Sequence, residues 1–92
     1  MTIKQLLDKT KENYLRAINT ENEYYIVATI EGYLTLRNLK HMNLISTNTY
    51  SKYFDEFYYM AHDVWYTTIH NDNLYRKVNK CISNSFMTLK EK

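Results

Sequence analysis

The chain has 92 residues, enough for one hydrophobic core but too few for two, so we expect a single domain over residues 1–92. Apolar residues make up 45% and charged residues 24%, which is typical of a globular protein, and the net charge of +2 is too small to predict a nucleic-acid partner by itself. The single cysteine, Cys81, excludes an internal disulfide and a cysteine-based zinc site, and it favours a reducing, cytoplasmic location.

The amino-terminal segment has none of the features of a secretion signal. Residues 1–10 include Lys4, Asp8 and Lys9 and contain no apolar run of the required length. No other part of the chain approaches the roughly 18 consecutive apolar residues of a membrane-spanning helix. We therefore expect a protein that is neither secreted nor inserted in a membrane.

The first predicted helix covers about residues 3–18. Thr2 and Gln5 have the spacing of a capping box, and apolar residues then recur at helical intervals. Thr20 and Glu23 repeat the capping-box spacing, which predicts that a second helix begins near residue 21.

Residues 21–42 admit two interpretations. Their first half is rich in β-branched and aromatic side chains, which favours a hairpin over residues 24–39 in an α+β fold. The cap, the length of the apolar pattern and a cationic end favour a helix, which is the interpretation we adopt. That end comprises Arg37, Lys40 and His41. In a helix Gly32 costs about 1 kcal/mol in propensity, and we expect it to permit a close crossing with another helix.

The segment from Tyr50 to His70 has the clearest helical pattern and predicts a helix over about residues 47–69, with Ser46 as its cap. Asn43 is expected to end the preceding helix in the left-handed conformation. One face is apolar and should be buried: Tyr50, Tyr53, Phe54, Phe57, Tyr58, Ala61, Val64, Trp65 and Thr68. The opposite face is polar and should contact water: Lys52, Asp55, Glu56, Tyr59, His62, Asp63, Tyr66 and His70.

The last predicted helix covers about residues 73–90 and follows a turn rich in Asn and Asp. Four amphipathic helices with short connections predict an all-α fold, a small up-and-down four-helix bundle. Its helices span about residues 3–18, 21–42, 47–69 and 73–90. We expect the third helix to be central because its apolar face is the broadest.

The sequence contains no arrangement typical of an active site. His62 and His70 lie about 12 Å apart along a helix, too far to share a metal ion. Asp63 follows His62, but its side chain points about 100° away, so the two do not form a general-base pair. Arg37 and His41 are explained by a cationic helix end. We therefore predict a protein that is not an enzyme and needs no metal or other cofactor.

The tyrosine content, ten residues in 92, is the feature that folding explains least. Tyr59 and Tyr66 lie on the polar face of the third helix, where His62, Asp63 and His70 surround them. Rigid aromatic side chains ringed by polar groups are typical of protein-binding surfaces. We expect these five residues to bind a partner. The alternative explanation is that an AT-rich genome, indicated by the abundant Asn, Lys, Ile and Tyr, enriches tyrosine without a functional reason.

A second functional hypothesis is DNA or RNA binding. The segment 36–54 is similar to a helix-turn-helix, with polar side chains at the start of the would-be recognition helix. The fourth helix has a basic face formed by Arg76, Lys77 and Lys80. Against this hypothesis, three carboxylates of the third helix follow on the side that would face DNA, where they would repel phosphate.

The sequence thus predicts a small non-enzymatic binding protein that acts through a tyrosine-rich helical surface. Small chains of AT-rich composition without motifs are frequent among phage and mobile-element accessory proteins, including inhibitors of host defence nucleases such as anti-CRISPR proteins. In such an inhibitor the tyrosines would anchor on the host protein, while the basic face of the fourth helix would occupy a surface related to nucleic acid. The expected partner is therefore a protein, for example a host nuclease or its nucleic-acid complex, and a second copy of the chain is an alternative.

Overall fold

The computed structural model describes residues 2–81, without the side chains of Asn79 and Cys81. These residues form four α-helices: α1 (Ile3–Thr20), α2 (Glu23–His41), α3 (Thr47–Thr68) and α4 (Asp72–Cys81). No strand occurs between residues 2 and 81, so the predicted all-α bundle is confirmed and the alternative hairpin at 24–39 is wrong. The predicted continuation of the last helix to residue 90 lies outside the described residues.

Two helix starts match the sequence prediction closely. The backbone amide of Gln5 donates to Thr2 Oγ1 at 3.1 Å, and the Thr2 amide donates back to Gln5 Oε1 at 2.8 Å, which completes the capping box. Ser46 caps α3 by accepting the backbone amide of Thr49 at 3.1 Å. These caps fix where α1 and α3 begin, and hence the rotation of their side chains.

The turn between α1 and α2 differs from the prediction. Thr20 is the last residue of α1 and does not cap α2, because its hydroxyl donates to the Arg16 carbonyl at 2.7 Å. Glu21 then takes the left-handed conformation with φ of 52°, and Asn22 caps α2 by accepting the Tyr24 amide at 2.8 Å. Both threonine and asparagine are good caps, so the sequence pattern alone placed the start of α2 two residues too early.

The helix most deeply buried within residues 2–81 is α2, and not α3 as the sequence predicted. Its residues are apolar on several sides, which is typical of a helix that neighbours surround. The buried positions of α2 are Ile26, Thr29, Ile30, Gly32, Tyr33, Leu34 and Leu36. Helices α1, α3 and α4 all pack against α2. The third helix therefore has one side that no described helix covers.

The packing pairs show the directions of the helices. Ile26, near the start of α2, and Val64, near the end of α3, line the same small cavity. Tyr33, later in α2, contacts the ring of Phe54, earlier in α3, at a centroid distance of 5.9 Å. Helices α2 and α3 therefore run antiparallel and side by side. Helix α1 is parallel to α3, since the contact between Lys11 and Glu56 comes before the one between Tyr14 and Asp63 in both helices. For α1, α2 and α3 this is the predicted up-and-down arrangement.

Gly32 lies where α2 crosses α1, as the sequence predicted. A Cβ atom at this position would lie 2.3 Å from Thr10 Oγ1 and 2.9 Å from Thr10 Cγ2. Thr10 is itself buried, and its hydroxyl donates to the Leu6 carbonyl at 2.8 Å. The absence of a side chain at Gly32 thus allows the two helices to approach closely. None of the helices within residues 2–81 is long and apolar enough to cross a membrane.

Candidate docking surface

Helix α3 is rotated as its sequence pattern predicts. Phe57, Ala61 and Val64 are buried in the core, while Tyr59 is 64% and Tyr66 51% exposed. The other predicted site residues lie on the same side: His62 and His70 are exposed and Asp63 is half-buried. We call the surface formed by Tyr59, His62, Asp63, Tyr66 and His70 the α3 outer face.

The edges of the buried face differ in detail from the prediction. Met60, which the prediction left off the apolar face, is buried beside α1. Several predicted core aromatics are only half-buried and pack at the rim: Tyr50, Tyr53, Phe54, Tyr58 and Trp65. The buried face of α3 is therefore turned further toward α1 than the pattern of its large aromatic residues predicts.

A continuous row of aromatic rings runs along α3, at every fourth residue from Tyr50 to Tyr66, and continues at His70 in the turn that follows the helix. The members of this row are Tyr50, Phe54, Tyr58, His62, Tyr66 and His70, and we call it the α3 ring row. Successive ring centroids are 5.3, 5.5, 5.5, 6.3 and 5.2 Å apart. These spacings are in the range of favourable aromatic contacts. Each ring thus restricts the orientation of the next.

The ring row leaves the core because four residues exceed one helical turn. With 3.6 residues per turn, each step of four residues advances the row by about 40° around the helix. Its first half packs against α2, where the buried ring of Tyr33 contacts both Phe54 and Tyr58. Its second half is the exposed sequence His62, Tyr66 and His70. The outer face is therefore joined to the core through a continuous series of ring contacts.

The sequence pattern predicts that Asp63 is solvated, but in the structure a side chain of α1 contacts it. The Tyr14 hydroxyl donates to Asp63 Oδ2 at 2.6 Å, and the Tyr14 ring meets Tyr59 edge to face at 6.3 Å. The hydrogen bond to Asp63, followed by burial, raises the pKa of Tyr14 well above its usual value. Tyr14 thereby fixes the position of both Asp63 and Tyr59.

A recess of about 390 Å³ lies between the two exposed tyrosines of α3. Its lining consists of Tyr58, Tyr59, His62, Asp63 and Tyr66. Four of these are residues that the sequence predicted to bind a partner. The fifth, Tyr58, joins them because the ring row turns outward at this point. A second depression of about 290 Å³ lies between α1 and α3, on the other side of Tyr59, and includes Leu15.

The residues predicted for a nucleic-acid interface are placed elsewhere. Arg76, Lys77 and Lys80 are all exposed on α4, as predicted. The segment 36–54 contains the end of α2 and the start of α3, which pack side by side in antiparallel directions. A helix-turn-helix instead crosses its two helices at about 90–120°. The geometry of α2 and α3 thus gives no support to a recognition helix at the start of α3.

Sequence reasoning missed Tyr14 and Tyr58 as parts of the site. The partners Tyr14 and Asp63 are 49 residues apart, and no local pattern connects them. The signal for Tyr58 was available, because a ring at every fourth position from 50 to 70 is visible in the sequence.

Among the described residues no group of three or more His, Cys, Asp or Glu could hold a metal ion.

Comparisons of the chain with protein-family models, with curated proteins and with solved structures find no match.

Proposed function

We propose that this chain is a small non-enzymatic binding protein whose α3 outer face docks on another protein. The observation that supports this most directly is the exposure of Tyr59 and Tyr66 on the same side of α3. The α3 ring row and Tyr14 hold these rings before any partner arrives. A preorganised aromatic side chain loses little conformational entropy on binding, which is why tyrosine is frequent among the residues that dominate interfaces.

The dimensions of the surface indicate how far such an interface extends. From Tyr59 to His70 the α3 outer face is about 17 Å long, which suits the central cluster of an interface. A stable interface covers about 800 Å² on each partner, more than one helix face provides. The depression between α1 and α3 continues the surface beyond Tyr59 and contains Leu15, which is 54% exposed. We therefore place α1 at one edge of the interface.

The charges on α3 favour a protein partner over nucleic acid. Helix α3 carries three carboxylates and a single lysine, and Asp63 lies within the recess. Phosphate groups near this surface would be repelled. The basic side chains of α4 belong to a different helix, and they are the only specific feature that supports the nucleic-acid alternative. In the proposed function they contribute a secondary contact.

The proposed partner is a host protein, and the proposed effect is steric inhibition. The size and AT-rich composition of the chain suggest an accessory protein of a phage or mobile element that acts in the cytoplasm on a defence nuclease of the CRISPR type. In this proposal α3 anchors on the nuclease, while the basic side chains of α4 occupy a surface related to nucleic acid. A second copy of the chain is the alternative occupant of the α3 outer face.

The decisive variant combines Tyr59→Ala with Tyr66→Ala. Both side chains are exposed, so we expect the circular dichroism spectrum to stay unchanged while partner capture from the native host is lost. Tyr24→Ala is the matched control, because Tyr24 is 68% exposed but lies at the start of α2. Mass spectrometry of crosslinked material identifies proteins that depend on the two tyrosines. If every captured protein is retained by the double variant, the α3 outer face is not the docking surface.

Two further measurements separate the alternatives. Sedimentation of the purified chain tests self-association, which the double variant would abolish if a second copy is the occupant. Gel-shift binding to DNA or RNA at low salt tests the nucleic-acid alternative, and Lys77→Glu with Lys80→Glu should remove any shift that depends on α4. A shift that disappears in this variant, together with unchanged protein capture by the tyrosine variant, would replace the proposed function with nucleic-acid binding.

A further inference from the structure

We infer that the recess between Tyr59 and Tyr66 accepts the guanidinium group of an arginine side chain from the protein partner. The inference rests on the proposed function, since it specifies the chemistry that the partner must present at the α3 outer face. The juxtaposition that supports it is a carboxylate lying between aromatic rings in one recess.

The spacing of the rings suits a flat group. Tyr59 and Tyr66 are two helical turns apart, about 10 Å along the axis. One turn of α3 lies between them and contributes His62 and Asp63 to the recess. His62 already stacks against the Tyr66 ring at a centroid distance of 6.3 Å. In the proposed complex the planar group therefore stacks on the Tyr59 ring while its edge points toward Asp63. Tyr58 closes the side of the recess that faces α2.

The hydrogen bonding of Asp63 leaves one oxygen for a ligand. Tyr14 donates to Oδ2, and Oδ1 accepts no hydrogen bond within residues 2–81. Because Tyr14 already holds the carboxylate in place, a ligand need not order it. An N–H donor that enters the recess meets a fixed anionic acceptor, which is the stronger kind of hydrogen bond.

Other ligand groups fit this combination less well than arginine. A phosphate or carboxylate would be repelled by Asp63, and an aliphatic side chain would cover a carboxylate oxygen without pairing it, which is costly. A lysine ammonium satisfies the charge but is strongly hydrated and is not planar. A guanidinium is planar and weakly hydrated, stacks on aromatic rings and carries five N–H donors.

The test is a nuclear magnetic resonance titration of the full chain with N-acetyl-arginine N-methylamide. The neutral isostere N-acetyl-citrulline N-methylamide is the matched control ligand. We expect saturable shifts of the Tyr59 and Tyr66 ring signals with the arginine compound, and an affinity about fivefold or more weaker for citrulline. Equal shifts with both compounds, or no shift at these two rings, would overturn the inference.

Two variants link the shifts to the recess. Asp63→Asn removes the charge but keeps an oxygen that can accept from Tyr14, so the fold is retained while the preference for arginine over citrulline disappears. Tyr66→Leu removes a ring from an exposed position, and Tyr24→Leu is its control at a tyrosine outside the recess that is more exposed, 68% against 51%. Arginine shifts that persist in both Asp63→Asn and Tyr66→Leu would contradict the assignment of the site.

The outcome is separable from that of the proposed function. If the double tyrosine variant loses its partner but the chain shows no preference for arginine, docking at α3 stands and the arginine inference is rejected. If arginine binds in the recess but partner capture survives loss of both tyrosines, the recess is a cation site and the docking function is rejected.

Discussion

Replacing Gly32 by alanine tests the closest helix crossing in the fold. Helix propensity alone predicts a gain of about 1 kcal/mol in the free energy of unfolding, because Gly32 lies in the interior of α2. The structure predicts the opposite sign. The added Cβ would lie 2.3 Å from Thr10 Oγ1, 2.9 Å from Cγ2 and 3.1 Å from Cβ of the same residue. Rotation of the threonine side chain exchanges one of these clashes for another.

The magnitude follows from what must move. The Thr10 hydroxyl donates to the Leu6 carbonyl, so relief of the clash requires either loss of this hydrogen bond or a separation of α1 and α2 by about 1 Å at the crossing. Overpacking a buried contact of this kind costs typically 1–3 kcal/mol, and a distance of 2.3 Å belongs at the upper end. After the propensity gain is subtracted, we expect a net loss of about 2 kcal/mol. For a chain of this size that lowers the melting temperature by about 8–16 °C.

The assay is urea denaturation followed by circular dichroism, for a double-mutant cycle of Gly32→Ala and Thr10→Ala. Removing Oγ1 and Cγ2 of Thr10 should restore most of the stability that Gly32→Ala loses, so the two substitutions should be strongly non-additive. If Gly32→Ala stabilises the chain, or if the two effects simply add, the close crossing of α1 and α2 is not real.

Four further predictions concern the helix connections and the support of the docking surface. Tyr14→Phe should lower the free energy of unfolding by about 1–2 kcal/mol, because Asp63 loses a charge-assisted hydrogen bond, and Asp63→Asn should cost less than this in the same denaturation assay. Since the pKa of Tyr14 is raised in the folded chain, the protonated hydroxyl stabilises the fold below pH about 10, and this contribution is lost as the pH rises further; a pH titration of stability should be flatter in Tyr14→Phe. Tyr33→Phe should change stability by less than about 1 kcal/mol, since the buried Tyr33 hydroxyl has no hydrogen bond of good geometry within residues 2–81 although the Arg37 guanidinium lies near its ring; a larger loss would contradict this. Asn22→Ala should cost about 1 kcal/mol and more than Thr20→Ala, and the reverse order in thermal melts would restore Thr20 as the cap.

The parts of the fold that could be predicted are those with local physical causes. The caps at Thr2 and Ser46 are set by side chains that bond to amides three residues on, and a sequence shows that spacing directly. The burial of Phe57 and Val64 follows from helical period. The hairpin at 24–39 failed because β-propensity is weak against a long amphipathic pattern and the packing of α2 on three neighbours.

The parts that could not be predicted depend on contacts between distant segments. Whether Thr20 or Asn22 caps α2 is decided by a bond from Thr20 to the preceding turn, and both residues are acceptable caps in isolation. The support of Asp63 by Tyr14 joins positions 49 residues apart. The sequence therefore indicated which side of α3 faces water, but not that α1 orders part of it.

The repeat of rings at every fourth residue explains how one helix can serve both the core and a binding surface. A repeat that alternates three and four residues stays on one side of a helix, whereas a strict repeat of four turns by about 160° over the four steps from Tyr50 to Tyr66. Aromatic rings therefore pack against Tyr33 in the first half of the row and contact solvent in the second half. Neighbouring rings contact one another along the whole row, so the exposed rings are connected through these contacts to the rings that pack against Tyr33. Tyr66 lies in this register and Tyr59 does not, so the ring row supports Tyr66 through His62, while Tyr59 is supported by its contact with Tyr14.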